Sequence, residues 1–411
     1  MADFHLKLSA RWNSRVMTRY ITFVVCLLTM LSTGLAFAQA KPATIGVGVQ
    51  TTPGSPGAFV YVSSSPSPNN YEINAFAADP SGKLTPVQGS PFAADVQSMT
   101  VNGQYLFGSN GIDIRSFSIA PDGALQRVAS INAQQFNGSN CGGPTELFLD
   151  HTGTTLYDLD YDGDVCANNT YQSFGINSAT GELTYLGASS ASVEFEVPLS
   201  FLGNNVYGYG SGCFHLYASI YGFQRNSDGT LTSVNTNAPM PVAKKGDFYC
   251  TSLAAADSKN HVAISVQPLN AQTWQPDGPR QLATYTADDS GKLTTRSTFL
   301  NMPKQALKYP VDMKMSPSGK LLAVAGAAGA GAAGLQVFHF HGSNPITHYT
   351  GLLTKDPVDQ LSWDNHNHLY AISRSTGKLF VFTITPTRFS QAPGSPYTIT
   401  NPQNITVLPK T

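Results

Sequence analysis

Apolar and polar residues alternate in short runs along most of the chain, which is the period of a strand with one face against a core. Segments such as Ile114-Arg115-Ser116-Phe117-Ser118-Ile119 and Leu282-Ala283-Thr284-Tyr285 each lead into a glycine turn. The turn phrase recurs as Ser81-Gly82-Lys83-Leu84-Thr85, Asp122-Gly123-Ala124-Leu125, Thr180-Gly181-Glu182-Leu183-Thr184, Asp228-Gly229-Thr230-Leu231-Thr232 and Ser290-Gly291-Lys292-Leu293-Thr294. Its glycines are 41, 58, 48 and 62 residues apart. Alternation on both sides of such a turn reads as a hairpin, because glycine supplies the positive φ that a tight turn demands. A second phrase, a short turn running into an apolar strand, comes earlier in each unit, as in Val101-Asn102-Gly103-Gln104-Tyr105-Leu106-Phe107 and Pro317-Ser318-Gly319-Lys320-Leu321-Leu322. One unit is therefore strand A, tight turn, strand B, variable loop, strand C, glycine turn, strand D.

Units of four antiparallel strands at a period of roughly 40 to 60 residues are propeller blades. Strand-B segments fall at 60–64, 106–110, 156–160, 206–210, 262–266, 322–326 and 369–373, which makes seven. The first unit lacks a strand A, while the chain ends on Asn404-Ile405-Thr406-Val407-Leu408-Pro409, a suitable replacement. The pattern predicts an all-β, seven-bladed propeller over residues 58–411, closed by the C-terminal strand so that no sheet edge is left open. Residues 39–57 read as a Pro/Gly-rich lead-in.

The first 38 residues are set apart. Arg15 and Arg19 precede an apolar run from 21 to 31, and Ala36-Phe37-Ala38 supplies a small-residue cleavage site. This is a secretory signal peptide, and the run is short for a membrane span, so a retained anchor is the lesser alternative. The expected product is periplasmic or secreted, with no membrane span once the signal is removed. Cys26 leaves with the signal, and Cys141, Cys166, Cys213 and Cys250 remain. Position among the loops favours Cys141 with Cys166 and Cys213 with Cys250, against four free thiols. Only 12% of residues are charged, which excludes a disordered or coiled-coil chain. Without the signal there are 20 basic and 24 acidic groups, net about −4, and no basic footprint for nucleic acid.

Leu84-Thr85-Pro86-Val87-Gln88-Gly89-Ser90-Pro91-Phe92, echoed by Ala392-Pro393-Gly394-Ser395-Pro396-Tyr397, resembles the blade phrase of the seven-bladed lactonase family, the 6-phosphogluconolactonase-like and YVTN-repeat proteins. The resemblance spans roughly residues 58–409 and implies the propeller fold. It also implies lactone hydrolysis by His, Arg and Glu groups at the ring's entrance. The segments leading into strand A, among them Gly143-Pro144-Thr145-Glu146 and Tyr309-Pro310-Val311-Asp312, carry no Pro-His or Arg-His pair. The reading carried forward is thus a ligand- or partner-binding module acting through its loop-rich face, on a small molecule or an envelope or extracellular protein. A lactone hydrolase is the enzyme alternative, and a structural interaction protein of the cell envelope is the third.

Strand alternation puts the A-to-B and C-to-D turns on one plain face and the irregular B-to-C and D-to-A loops on the other, where binding is expected. Around the entrance the candidates for ligand binding are Glu146, Glu194, Asp247 and Asp312. A carboxylate, an imidazole and a guanidinium from Glu196, His215 and Arg374 could supply general-base hydrolysis with oxyanion stabilisation, rim solvation being the bland alternative. Asp158-Leu159-Asp160-Tyr161-Asp162-Gly163-Asp164 matches the opening of a calcium loop, D-x-D-x-D-G, so Asp158, Asp160, Asp162 and Asp164 are candidate metal ligands. Position twelve is Asn169 where such a loop has Glu, and a solvated acidic loop or pairing with a cation competes. No cofactor is otherwise required. His339, His341 and His348 form a weaker candidate for a transition metal, and His366 and His368 are expected to face solvent from a tight turn.

Overall fold

The five repeated turn glycines, Gly82, Gly123, Gly181, Gly229 and Gly291, all adopt positive φ, between 73° and 92°. Each also lies against the neighbouring blade. A Cβ on Gly123 would meet the Phe59 ring at 2.5 Å, one on Gly181 would meet Tyr105 at 2.7 Å, and one on Gly291 would meet Tyr207 at 2.7 Å. Phe59, Tyr105 and Tyr207 are the opening residues of strand B in the preceding blade. Tyrosines a little further along strand B add hydrogen bonds to the same turns: Tyr61 Oη donates to the Gly123 carbonyl at 3.1 Å and Tyr209 Oη to that of Gly291 at 2.7 Å. At these positions glycine serves two physical ends, a left-handed turn and room for a side chain, most often an aromatic ring, of the preceding blade.

The structure is a computed structural model that describes residues 56–136, 144–160, 170–190, 197–214, 217–234, 238–329 and 331–410. The segment read as a signal peptide, most of the lead-in, and Cys141 with Cys166 lie outside the described residues. Seven antiparallel sheets follow one another along the chain. The inner strands, A, are Pro402–Pro409 for blade one, then Ser98–Val101, Pro144–Leu149, Ser200–Phe201, Asp247–Ala256, Pro310–Met315 and Gln360–Trp363. From blade four round through blades seven and one to blade three, successive inner strands touch around a central channel. The ring closes as the alternation predicts: Pro402–Pro409 pairs antiparallel with Ala58–Ser67, in a register that sets Val60 opposite Val407. In blades one and seven the phrase ending in Ser90-Pro91 or Ser395-Pro396, both cis peptides, splits the outer strand into two short pieces that pair with one strand C.

Strand B reads as continuously apolar because both its faces are buried. In blade six Leu321, Ala323 and Ala325 pack toward blade seven, while Leu322 and Val324 pack toward blade five. Repeated around the ring, this gives a buried apolar cluster at each blade junction among the described residues. Burial of a large side chain in such a cluster stabilises by about 1.5–3 kcal/mol.

Three departures from the sequence reading have clear causes. His368 is buried, 2% exposed, because its Nδ1 pairs with Asp364 Oδ2 at 2.7 Å while Tyr370 Oη donates to the same oxygen at 3.0 Å. Its neighbour His366 is exposed as expected. His348 lies across from Phe338 and not His339, because the register set by the tight turn after His341, even with its one bulge, stops one residue short. The predicted loops of blades four and five are partly strand: the hairpins Tyr207–Phe214 with Tyr217–Arg225, and Asp247–Ala256 with His261–Asn270, continue beyond the ring. Their added length brings Cys213 and Cys250 to a Cα separation of 5.3 Å, where they form a disulfide joining blades four and five. This is the pairing that loop position favoured.

Candidate functional site

Around the channel the inner strands carry a repeated side-chain device. Asp312, Gln360, Asn404 and Ser98 sit in equivalent places on blades six, seven, one and two, opposite Ala325, Ile372, Ser63 and Ser109 of strand B. Each accepts a hydrogen bond from a backbone N–H on the next inner strand. Asp312 Oδ2 takes that of Leu361 at 2.8 Å, Gln360 Oε1 that of Ile405 at 3.2 Å, Asn404 Oδ1 that of Met99 at 3.0 Å and Ser98 Oγ that of Leu147 at 2.9 Å. Such bonds contribute roughly 0.5–1.5 kcal/mol apiece and staple four successive blade junctions.

Glu146 is the next member of this series, opposite Leu159 on blade three. Its carboxylate makes no hydrogen bond with any described residue. It instead lines the channel, where cavities of about 500 and 550 Å³, opening toward the plain and loop faces, meet at Glu146, Phe148, Pro198, Asp312, Lys314 and Gln360. A third recess of about 200 Å³ adds Gln97, Arg374 and Gln403 at the same level. The channel thus carries a polar waist built by five blades.

Charge at the waist is mixed. Lys314, two residues after Asp312, points its side chain into the channel, 45% exposed, with Nζ 3.4 Å from Asp312 Oδ1. Asp312 and then Glu146 hold its ammonium above the usual lysine range, against burial. Burial pushes the Glu146 carboxyl above its ordinary value; Asp312 adds to the shift, and Lys314 and Arg374 oppose it. Arg374 is anchored at the mouth: Nε and Nη2 donate to the Gln403 carbonyl at 3.0 and 2.7 Å, and its own backbone N–H is held by Asp359 at 2.8 Å. A carboxylate with raised proton affinity near an ammonium is equipped to hold a polar molecule and to accept a proton from it or from water.

The structure therefore brings together Glu146, Asp312 and Arg374 of the residues singled out from sequence. Asp247 is elsewhere, at the rim of blade five, in a group with Asp277 and Lys244, whose Nζ lies 3.1 Å from Asp277. Glu194, Glu196, His215, Asp162 and Asp164 lie outside the described residues. Asp158 and Asp160 are not on a solvated loop: both are buried in strand B of blade three, where Gln172 Nε2 donates to Asp160 Oδ2 at 3.2 Å. Among the described residues no group of three or more potential metal ligands converges. The sequence reading missed Lys314, Gln360, Asn404 and Ser98. Period-two spacing from Asp312 on an inner strand could have flagged Lys314, whereas no motif marks the other three.

No family model matches the chain, and no curated protein matches it. Solved structures do. A protein of Bacteroides fragilis provisionally assigned as a 6-phosphogluconolactonase aligns over 88% of this chain and 100% of its own, with TM-score 0.55 and 14% identity. A provisionally assigned 6-phosphogluconolactonase of Bacteroides uniformis aligns over 85% and 99%, with TM-score 0.57 and 12% identity. A protein from Lactobacillus plantarum aligns over 86% and 99%, with TM-score 0.58 and 11% identity. At such identities the likeness concerns architecture, and one architecture hosts many activities. The chain has the seven-bladed propeller fold of these lactonase-like structures.

Proposed function

We propose that this protein binds a small, polar, acid- or hydroxyl-bearing molecule at the waist of its central channel, between Glu146, Lys314 and Arg374. One observation carries the reading. Glu146 occupies a place that four neighbouring blades use to fasten the ring, yet its carboxylate has no such duty among the described residues. A carboxylate held at the waist of a channel costs desolvation, which a ligand donor would offset. The disulfide between Cys213 and Cys250 fits a chain that works in an oxidising compartment, outside the cytoplasm. Among the described residues no helix is long and apolar enough to cross a membrane.

A second reading, hydrolysis of a lactone, is favoured by the raised proton affinity of Glu146 beside a cation. In this scheme Glu146 takes a proton from water as the water oxygen adds to the ring carbonyl, and Lys314 faces the oxyanion. Collapse breaks the ring C–O bond, and the proton returns to the departing alkoxide to give the hydroxy acid. The experiment is a panel of aldonolactones assayed for both binding and ring opening with wild type, Glu146→Gln and Lys314→Met. Binding that weakens in Lys314→Met without turnover in wild type supports the binding module. Turnover that falls by about 10²–10⁴ in Glu146→Gln supports the hydrolase. Neither variant altering binding or turnover removes the channel from consideration.

A further inference from the structure

Far from the channel's loop-side mouth, on the plain face, a groove of about 440 Å³ runs between blades five and six. It is built from tight turns: the A-to-B turns contribute Lys259 and Lys320, and the strand C of blade six, Gly334–His341, contributes His339 and His341. His261 closes one wall, its ring so near the Gly342 turn that a Cβ there would meet it at 3.0 Å. Among the described residues Asp257 is the only carboxylate lining the groove, and it is spent inward. Its Oδ1 accepts the backbone N–H groups of Lys259 and His261 at 2.9 and 3.0 Å, and its Oδ2 pairs with His261 Nδ1 at 2.8 Å. What remains facing the groove is two ammonium groups, imidazoles and the hydroxyls of Ser318 and Ser343.

We propose that this groove is an anion site for a phosphoryl group, recognised by Lys259 and Lys320 with His339 and His341 as further donors. The groups are suited to it. Lysine ammoniums give charge-assisted hydrogen bonds to phosphate oxygens, and an imidazole adds a charge when protonated. The other titratable and charged groups around His339 and His341 are Asp257 and His261 on blade five, with His348 and Tyr349 on blade six; blade seven supplies only Pro386. His341 Nε2 is 3.0 Å from Thr347 Oγ1, and the rings of His339 and His341 are 6.0 Å apart. Burial, with His341 beside it, holds the His339 imidazole below its ordinary value. Protonation is consequently favoured by an incoming anion, and binding strengthens as pH falls through the histidine range.

The test is titration calorimetry of the whole protein with sulfate and with inorganic phosphate at pH 5.5 and pH 8, alongside glycerol phosphate and vesicles of phosphatidylglycerol in phosphatidylcholine. Sulfate, which stays doubly charged across this range whereas phosphate does not, should bind more tightly at the lower pH, and both anions should bind about tenfold or more weakly in Lys259→Ala/Lys320→Ala. Both lysines are exposed, so an unchanged melting temperature will show that the variant is folded. His339→Gln/His341→Gln should remove the pH dependence of sulfate binding while leaving binding at pH 8 in place. Binding of glycerol phosphate but not vesicles assigns a soluble phosphate ester, and vesicle binding lost in the lysine variant assigns a lipid headgroup. Phosphate affinity that is indifferent to both pairs of substitutions, or absent in wild type at both pH values, overturns the proposal.

Discussion

The inner strands of blades three and six place a carboxylate at the same point of the ring and use it differently. Asp312 accepts the backbone N–H groups of Met313 and Leu361, both at 2.8 Å, and lies against Lys314. Glu146 accepts none among the described residues. The neighbouring blade explains the contrast. Beside Asp312 the next inner strand, Gln360–Trp363, offers its N–H groups at once, whereas beside Glu146 the inner strand of blade four is confined to Ser200–Phe201. A repeat position does not decide a residue's role; the partner strand does. One carboxylate stabilises the ring, and the other is left to the channel.

The junctions of the ring should accordingly differ in what they depend on. The junction of blades four and five has a covalent link, and opening the 37-residue loop closed by Cys213 and Cys250 should cost about 4 kcal/mol. Denaturant unfolding of Cys213→Ser/Cys250→Ser measures this. A loss below about 1 kcal/mol would mean that packing and hydrogen bonds hold blades four and five without help from the bridge, and that fastened and unfastened junctions differ less than their contacts suggest. A smaller effect is expected at the junction of blades six and seven. Asp312→Ala leaves the buried N–H of Leu361 without its acceptor and should cost about 1–3 kcal/mol, most of it recovered in Asp312→Asn, which keeps an oxygen in place. Equal losses in the two variants would shift the credit from the hydrogen bond to the Lys314 pairing.

The difference between these carboxylates also marks the limit of the sequence. Glycine turns at a fixed place before a leucine, and the terminal run from Asn404 to Pro409, are local signals that repeat, so the blade number and ring closure could be read from them. Glu146, Asp312 and Arg374 could be placed near the entrance because strand A and the loop-side turns were already located. Their separate duties could not. Whether Asp312 meets the N–H of Leu361, or Gln360 that of Ile405, depends on the register between strands from different blades. Burial of His368 follows from Asp364 four residues earlier, a turn pairing repeated by Asp257 and His261 and overlooked because a histidine in a tight turn looks solvent-facing. Asp158 and Asp160 show the opposite limit: their spacing reads as the opening of a loop, whereas strand B has two buried faces and takes both inside.

The smallest expected effect sharpens the comparison most. The Glu146 carboxyl is held above its ordinary value of 4.5 in the folded protein, mainly by burial. A raised acid binds more protons when folded than when unfolded, so its contribution to stability falls as pH rises through the window above 4.5. At neutral pH the ionised group is a modest liability. Glu146→Gln should therefore melt at the same temperature as wild type or slightly higher at pH 7, and the difference should vanish below pH 4, where both side chains are neutral. Asp312→Asn should show no such gain, since its carboxylate is matched by N–H donors and an ammonium. Melting curves of both variants across pH 3 to 8 decide the matter. A Glu146→Gln protein that is clearly less stable at pH 7 would show that this carboxylate, too, fastens the ring, and the case for a ligand at the waist of the channel would lose its chief support.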